Sequence, residues 1–136
     1  MEKKIAIGII GGAGYTGGEL IRLLINHPNA DIAFINSKSN AGNNVSKVHQ
    51  DLIGETDLQF SEDLNNDIDV LFLCVGHGDA KKFLEANAIA EHVKIIDLSQ
   101  DFRLSSQIRK LPSSPAPEPK SLSTNRMSVA SSLWII

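Results

Sequence analysis

The sequence predicts a doubly wound α/β fold, in which helices cover a mainly parallel sheet, followed by an irregular C-terminal tail. Three observations favour it. An apolar segment at 4–10 leads into a glycine cluster and then into a helical pattern. A second strand pattern at 30–36 follows after a short connection, and continuous apolar runs occur at 69–75 and 93–98. Because short strand–helix–strand units imply right-handed crossovers and parallel pairing, we expect a strand order beginning 3-2-1-4-5.

The first helix is expected from about Gly14 to Asn26. His27 and Pro28 close it, because proline disfavours the helical conformation of the residue before it. Apolar residues at helical spacing predict one face directed toward the sheet. That face comprises Leu20, Ile21, Leu23 and Leu24.

The middle of the chain gives weaker patterns. Residues 45–52 allow a short helix and 58–60 an edge strand, while His49 is expected at the surface and not as a ligand. The run 69–75 predicts a central strand covered on both faces. We place a second helix from Ala80 to about 92, with an inward face made by Phe83 and Leu84.

The composition is that of a one-domain globular protein, with 42% hydrophobic and 21% charged residues. A net charge of -3 gives no basic surface for nucleic acid or an anionic membrane. No apolar run approaches the roughly 18 to 20 residues of a membrane span, and no leader pattern precedes the first strand. We therefore expect a cytoplasmic protein with neither nucleic-acid nor membrane partners.

Cys74 is the single cysteine, which fits a reducing compartment. It lies inside the apolar run of a predicted buried strand. Burial raises the pKa of a thiol and makes the side chain act as a small hydrophobe. We therefore do not expect Cys74 to be a nucleophile.

The glycine cluster matches G-x-G-x-x-G through Gly12, Gly14 and Gly17, and G-x-x-G-x-x-G when it is counted from Gly11. Dinucleotide sites need these glycines for a tight turn, for backbone approach to the pyrophosphate and for helix–strand packing. A glycine-rich turn gives the same letters, but the strand before and the helix after favour a nucleotide site. The residues expected at the pyrophosphate are Gly11, Gly12, Ala13, Gly14, Tyr15, Thr16 and Gly17.

The residues after the second strand favour NADP over NAD. An NAD site carries an acid about 20 residues after the glycines, where it binds the ribose hydroxyls. This chain has Ser37, Lys38 and Ser39 between two asparagines, so hydroxyls and a cation replace the acid. An ordinary polar loop has the same composition. We expect these three residues to bind the 2′-phosphate.

Two further segments follow predicted strands, and the ends of parallel strands carry the ligands in such sheets. His77 and Gly78 come after 69–75, where they are cofactor-loop residues or a simple helix start. Polar residues at 97–103 follow the next strand. The alternative there is that the acids form turns and Arg103 is their ion-pair partner.

These segments together resemble the N-terminal part of the N-acetyl-γ-glutamyl-phosphate reductases, over roughly residues 3–104. The resemblance rests on four phrases. They are Gly-Ile-Ile-Gly-Gly-Ala-Gly-Tyr-Thr-Gly-Gly-Glu-Leu-Ile-Arg-Leu-Leu at 8–24, His-Pro at 27–28, His-Gly at 77–78 and Asp-Leu-Ser-Gln-Asp-Phe-Arg at 97–103.

The resemblance implies a Rossmann-like NADP-binding domain of an oxidoreductase in arginine biosynthesis, in a homo-oligomeric enzyme. In the family reaction a cysteine attacks the acyl phosphate, phosphate leaves, and NADPH reduces the thioester to the semialdehyde. His77 and Gly78 would lie near the nicotinamide. The candidates for the substrate phosphate are Ser99, Asp101 and Arg103. No metal site is implied.

The sequence departs from the family pattern after residue 103. It has no Asn-Pro-Gly-Cys phrase, which carries the family's nucleophile, and no histidine after His92. Residues 104–136 hold four of the five prolines and four Lys and Arg against one Asp or Glu. We therefore expect an NADP-binding domain at 1–103, a tail of non-family character with little regular structure at 104–136, and no substrate domain. The alternative function is a catalytically inactive NADP-binding module.

Overall fold

The computed structural model describes residues 3–99, so the predicted tail at 104–136 lies outside the described residues. Within 3–99 the chain forms five strands, two helices and three short 3₁₀ turns. The strands are β1 (Ile5–Ile10), β2 (Ala30–Asn36), β3 (Phe60–Ser61), β4 (Val70–Leu73) and β5 (Lys94–Asp97). The helices are α1 (Tyr15–Ile25) and α2 (Asp79–Ala86), and the 3₁₀ turns are Lys38–Asn40, Val45–Lys47 and Gln50–Leu52.

All five strands pair in parallel, in the order β3-β2-β1-β4-β5. This confirms the predicted strand order and the Rossmann-like, doubly wound class. The chain moves outward from β1 through β2 to β3, then returns to the other side of β1 to form β4. The winding direction therefore reverses between β1 and β4, the position at which open α/β sheets bind their ligands.

The sheet buries a separate apolar core on each face, because side chains alternate along each strand. On one face α1 packs on a core made of Ile7, Ile9, Ile21, Ile35, Val45, Leu52, Phe60 and Cys74. On the other face α2 packs on a core made of Ile10, Ile68, Leu71, Leu73, Ala80, Leu84, Val93 and Ile95. Phe83 packs at the margin of the second core, so the predicted inward face of α2 is confirmed.

The predicted inward face of α1 is wrong at Leu23, which is 70% exposed. Ile21 is fully buried, and a residue two positions later lies about 200° around the helix. Gly17 and Gly18 are also buried in α1. Gly17 packs on the backbone of Gly11 and Gly12, and Gly18 packs on the ring of His49, so the buried side of α1 begins with these glycines.

α2 is shorter than predicted and ends at Ala86 instead of continuing to about 92. Asn87 terminates it, because its backbone is extended, with φ -126° and ψ 127°, and its side-chain Nδ2 donates to the Phe83 carbonyl at 2.9 Å. The extended backbone of Asn87 then lets Ile89 pack against the core beneath α2.

Residues 45–52 form two 3₁₀ turns in place of the short helix that the sequence allows. Val45 and Leu52 are both buried and anchor this segment in the core beneath α1. His49 lies between the turns with φ -104° and ψ 83°, a backbone conformation that interrupts any helix. We call residues 45–52 the strap, because the segment crosses the start of α1.

Candidate functional site

Four loops follow the carboxyl ends of adjacent parallel strands and therefore lie along one edge of the sheet. They are the glycine loop 11–14 after β1, residues 37–40 after β2, residues 74–78 after β4, and Ser99 after β5. The sheet order places the loops after β1 and β4 side by side at the reversal point. This edge is the candidate functional site.

Gly11 begins the glycine loop in the left-handed region, with φ +79°, which favours glycine. Its amide and that of Gly12 both donate to the Asn36 carbonyl at the end of β2, each at 3.1 Å. A β-carbon on Gly11 would lie 2.5 Å from the Cys74 carbonyl oxygen. The loop is therefore tied to β2 on one side and packed against the loop after β4 on the other.

The remaining motif glycines divide into two kinds. A β-carbon on Gly12 would lie 2.1 Å from Ile35 Cγ2, and one on Gly17 would lie 2.6 Å from the Gly11 carbonyl oxygen. The fold itself thus requires glycine at both positions. Gly14 is exposed, and a β-carbon there would meet Gly11 O at 3.5 Å, an ordinary contact. The fold does not require this glycine, and in dinucleotide sites a glycine of this motif lets the ligand approach the backbone closely.

The start of α1 presents unused hydrogen-bond donors. Within residues 3–99, no protein acceptor receives the backbone amides of Ala13, Tyr15, Thr16 and Gly17. Gly14 caps α1 without a side-chain hydrogen bond. Free amides at a helix N-terminus, together with the positive end of the helix dipole, favour a phosphate group.

The loop after β2 contains the three residues that we expect at a 2′-phosphate. Ser37 is buried, whereas Lys38 and Ser39 are exposed. The side-chain amide of Asn40 donates to both serine hydroxyl oxygens, at 3.3 Å for Ser37 and 3.1 Å for Ser39. In the part of the chain that the structure describes, neither hydroxyl donates to a protein acceptor. Both O–H groups and the Lys38 ammonium therefore remain as donors for an anion.

The loop after β4 carries His77, which is exposed, and Gly78, which has φ +85° and caps α2. Their proposed contact with the cofactor remains a prediction. Cys74 precedes them and is 8% exposed. Burial raises the pKa of Cys74 to about 12, and the Asp97 carboxylate adds to the rise. The expectation of a buried thiol is thus confirmed, and its lack of reactivity stays a prediction.

Ser99 is buried at the end of β5 and bonded to Asp97. Its amide donates to Asp97 Oδ1 at 2.8 Å and its hydroxyl donates to Asp97 Oδ2 at 2.9 Å. A hydroxyl whose proton is donated to Asp97 does not also donate it to a phosphate oxygen. The other predicted phosphate ligands, Asp101 and Arg103, lie outside the described residues.

Sequence reasoning missed His49, which contacts the glycine loop instead of lying free at the surface. Its Nε2 lies 2.7 Å from the Gly12 carbonyl oxygen, and its ring packs on Gly18. The strap is also joined to α1 by an ion pair between Arg22 and Asp51. The sequence feature that could have indicated the His49 contact is Gly18, a buried glycine that the dinucleotide pattern does not require.

Two kinds of site are absent from residues 3–99. No group of three or more His, Cys, Asp and Glu side chains is placed to hold a metal ion. No helix in that range has the length and apolar character that crossing a membrane requires.

The family model described as "Semialdehyde dehydrogenase, NAD binding domain" matches residues 6–121 of this chain. The match thus continues beyond the boundary at 103 that we predict from the sequence. Curated relatives named N-acetyl-gamma-glutamyl-phosphate reductase include those of Phocaeicola vulgatus and Bacteroides fragilis, each 63% identical over 103 residues. The relative from Flavobacterium johnsoniae is 51% identical over 100 residues.

These alignments cover 74 to 75% of this chain but only 31 to 32% of each relative. The chain thus spans about a third of the length of the curated relatives that it matches. Solved structures share the fold. Aspartate semialdehyde dehydrogenase with NADP from Candida albicans gives a TM-score of 0.58 at 22% identity, over 76% of this chain and 32% of that one. GenD2 from gentamicin A biosynthesis with NAD gives 0.60 at 13% identity, over 93% of this chain and 33% of that one.

Proposed function

The chain belongs to the family of semialdehyde dehydrogenase NAD binding domains, and on that premise we propose that it binds NADP as the cofactor-binding part of an N-acetyl-γ-glutamyl-phosphate reductase. The proposed reaction is the NADPH-dependent reduction of N-acetyl-γ-glutamyl phosphate to its semialdehyde. Relatives of that name support it, at up to 63% identity over 103 residues.

The observation that carries the proposal is the group of unused amides at the glycine loop. Ala13, Tyr15, Thr16 and Gly17 offer donors that no acceptor within 3–99 receives, beside a glycine that the fold itself does not require. A pyrophosphate supplies the missing acceptors, and Gly14 gives it room to approach the backbone. These residues fit a dinucleotide.

The loop after β2 supports NADP over NAD. A 2′-phosphate accepts hydrogen bonds, and Ser37 and Ser39 hold free hydroxyl protons because Asn40 donates to their oxygens. Lys38 adds a positive charge. Glu62 and Asp63 follow β3 at the same edge, but both are exposed to water, which screens their charge.

The roles of the chain's residues in the reaction are to bind and orient. When bound, NADPH supplies the hydride. We propose His77 and Gly78 on the nicotinamide side, because their loop adjoins the glycine loop. Arg103 is our first candidate for the substrate phosphate, since Asp101 carries the wrong charge and Ser99 is committed to Asp97. The homo-oligomeric assembly and the cytoplasmic location remain predictions.

A second candidate function is an NADP-binding module that does not turn over substrate. One observation favours it: Cys74 is buried with a raised pKa. The thioester step needs an accessible thiolate, which this side chain does not provide. On this reading the chain contributes cofactor binding alone.

Thermal unfolding of the chain with NADP and with NAD tests cofactor binding. A ligand at a hundred times its Kd stabilises the folded state by about 2.7 kcal/mol, so the tighter ligand raises Tm more at equal concentration. We expect NADP to raise Tm more than NAD does. An equal response to both, or none, contradicts the cofactor assignment.

Turnover separates the two candidate functions. The chain is mixed with NADPH and N-acetyl-γ-glutamyl phosphate, and the NADPH absorbance is followed with time. The inactive module predicts NADPH binding without sustained oxidation. Oxidation of more than one equivalent of NADPH per chain would contradict the inactive module. If the Cys74→Ala variant oxidises NADPH at the same rate, a group other than Cys74 acts as the nucleophile.

A further inference from the structure

We propose that His49 is a positioning residue for the dinucleotide pyrophosphate. Its imidazole fixes the direction of the Gly12 carbonyl, and thereby aims the Ala13 amide at the phosphates. The inference rests on the proposed cofactor function of the glycine loop, and adds to that loop a residue from the strap, more than thirty positions along the chain.

The first step is the hydrogen bond itself. His49 Nε2 lies 2.7 Å from the Gly12 carbonyl oxygen. A carbonyl oxygen only accepts, so Nε2 carries the proton and donates. The Gly12 amide is held as well, by the Asn36 carbonyl at 3.1 Å. Gly12 is therefore fixed on both sides, by β2 through its amide and by the strap through its carbonyl.

The second step follows from peptide geometry. The bond between Gly12 and Ala13 is trans, so the C=O of Gly12 and the N–H of Ala13 point in opposite directions. With the carbonyl directed at His49, the Ala13 N–H points away from the strap. It is one of the unused donors at the start of α1. Without His49, this peptide unit loses the contact that sets its orientation.

The third step explains Gly18. A β-carbon at this position would lie 2.5 Å from both Cε1 and Nδ1 of the His49 ring. The dinucleotide pattern requires Gly17 but says nothing about the next position. The second glycine of the pair therefore makes room for the imidazole. Two separate features of the sequence, His49 and Gly18, thus serve one contact.

The fourth step is the rigidity of the strap. The His49 amide donates to the Val45 carbonyl at 2.9 Å, and its own carbonyl accepts from the Leu52 amide at 3.0 Å. Val45 and Leu52 are buried at 0% and 1% exposure, which anchors both ends. The ring also lies 6.3 Å from that of Phe60, centroid to centroid. Both the backbone and the ring of His49 are thus held by neighbouring residues, which fixes the position of Nε2.

The experiment compares two substitutions at His49 by titration of the full chain with NADP and with NAD. His49→Leu removes the donor, whereas His49→Gln keeps an N–H at the position of Nε2. We expect His49→Leu to lower the affinities for NADP and NAD by the same factor, about tenfold. This is the loss expected for one hydrogen bond to a charged acceptor. We expect His49→Gln to retain most of the wild-type affinity.

Two further measurements separate positioning from simple destabilisation. Adenosine 2′-monophosphate lacks the pyrophosphate, so its affinity should not change in His49→Leu. Gly18→Ala displaces the His49 ring without removing it, and should also lower the affinities for NADP and NAD by equal factors. His92→Gln, at an exposed histidine, is the matched control and should bind as the wild type does.

The outcomes are distinct. If His49→Leu lowers the Tm of the free chain and leaves both affinities unchanged, His49 is structural only and the inference is overturned. It is also overturned if His49→Gln binds as weakly as His49→Leu, or if NADP and NAD respond differently. A wild-type chain that binds neither dinucleotide refutes the proposed function, and this inference with it.

Discussion

Gly17, in the first turn of α1, packs so closely on Gly12 that a β-carbon on Gly17 would lie 2.7 Å from the Gly12 Cα. Backbone atoms cannot move aside as a flexible side chain can. We expect Gly17→Ala to shift α1 away from β1, to lower the free energy of unfolding by about 2 kcal/mol or more, and to abolish dinucleotide binding. Chemical denaturation and NADP titration measure the two effects.

Gly14→Ala is the matched variant, and we expect the opposite pattern. A β-carbon on Gly14 meets no atom of the chain closer than 3.5 Å, and its φ of -76° suits alanine. The free energy of unfolding should change by less than about 1 kcal/mol. NADP binding should nevertheless weaken about tenfold or more, because the methyl group occupies space that the pyrophosphate needs. Unchanged NADP affinity would contradict the assigned role of Gly14.

Substitution of Asn40, in the loop after β2, should change the preference between NADP and NAD. In Asn40→Asp the new carboxylate only accepts, so it takes the hydroxyl protons of Ser37 and Ser39 and repels a 2′-phosphate. NADP affinity should fall about tenfold or more while NAD affinity stays within about twofold. Titration with both cofactors measures the ratio.

Asn65→Asp is the control for Asn40→Asp, since it adds the same charge at an exposed position in the connection between β3 and β4. It should leave the ratio of NADP to NAD affinity unchanged. Lys38→Ala should lower NADP affinity in the same direction by a smaller factor, about fivefold, because an exposed ion pair is weakened by solvent. Parallel losses for NADP and NAD in Asn40→Asp would show that the loop does not bind the 2′-phosphate.

Much of the fold was predictable from local patterns. The strand–glycine–helix order, the boundaries of β2 and the strand order depend on short-range periodicity and on the handedness of crossovers, which a single sequence contains. The wrong predictions concern the inward face of α1 and the end of α2, where packing against the rest of the fold determines the structure. Leu23 points to water because Ile21, on the opposite side of α1, is the residue buried in the core, and α2 ends early because Asn87 takes an extended backbone, after which Ile89 packs on the core.

The candidate site shows the same division. Gly11, Gly12 and Gly17 were identifiable because each meets a local steric demand that has a sequence pattern. His49 was not, because its partner Gly12 is far away in sequence and the intervening segment has no regular pattern. The Asn40 amide that orders two serine hydroxyls was also hidden, since a polar loop has the same composition with or without those bonds.

The buried thiol predicts slow chemical modification. Cys74 is 8% exposed and its pKa is raised to about 12 by burial, so at pH 8 the side chain is a neutral thiol inside the core. A disulfide reagent that reports free thiolate should not react with the folded chain, and should react with one equivalent once denaturant unfolds it. Reaction in native buffer as fast as in denaturant would contradict the assignment of an inert side chain.

The ion pair between the strap and α1 predicts a pH-dependent contribution to stability. Arg22 Nε donates to Asp51 Oδ2 at 2.7 Å, and this hydrogen bond lowers the pKa of Asp51 below its ordinary value. The folded state thus favours the ionised carboxylate. Its contribution is complete above the unfolded pKa of about 3.9 and is lost as the pH falls through the lower folded value.

We therefore expect Asp51→Asn to lower Tm by a few degrees at pH 7, and the difference from wild type to close as the pH falls below about 4. Added salt should reduce the difference at pH 7, because both side chains of the pair are partly exposed and the attraction is screened. Asp57→Asn, at an exposed acid that follows the strap, is the matched control and should give no such convergence. A difference that persists unchanged at low pH would mean that Asp51 acts through packing, and that its charge does not hold the strap on α1.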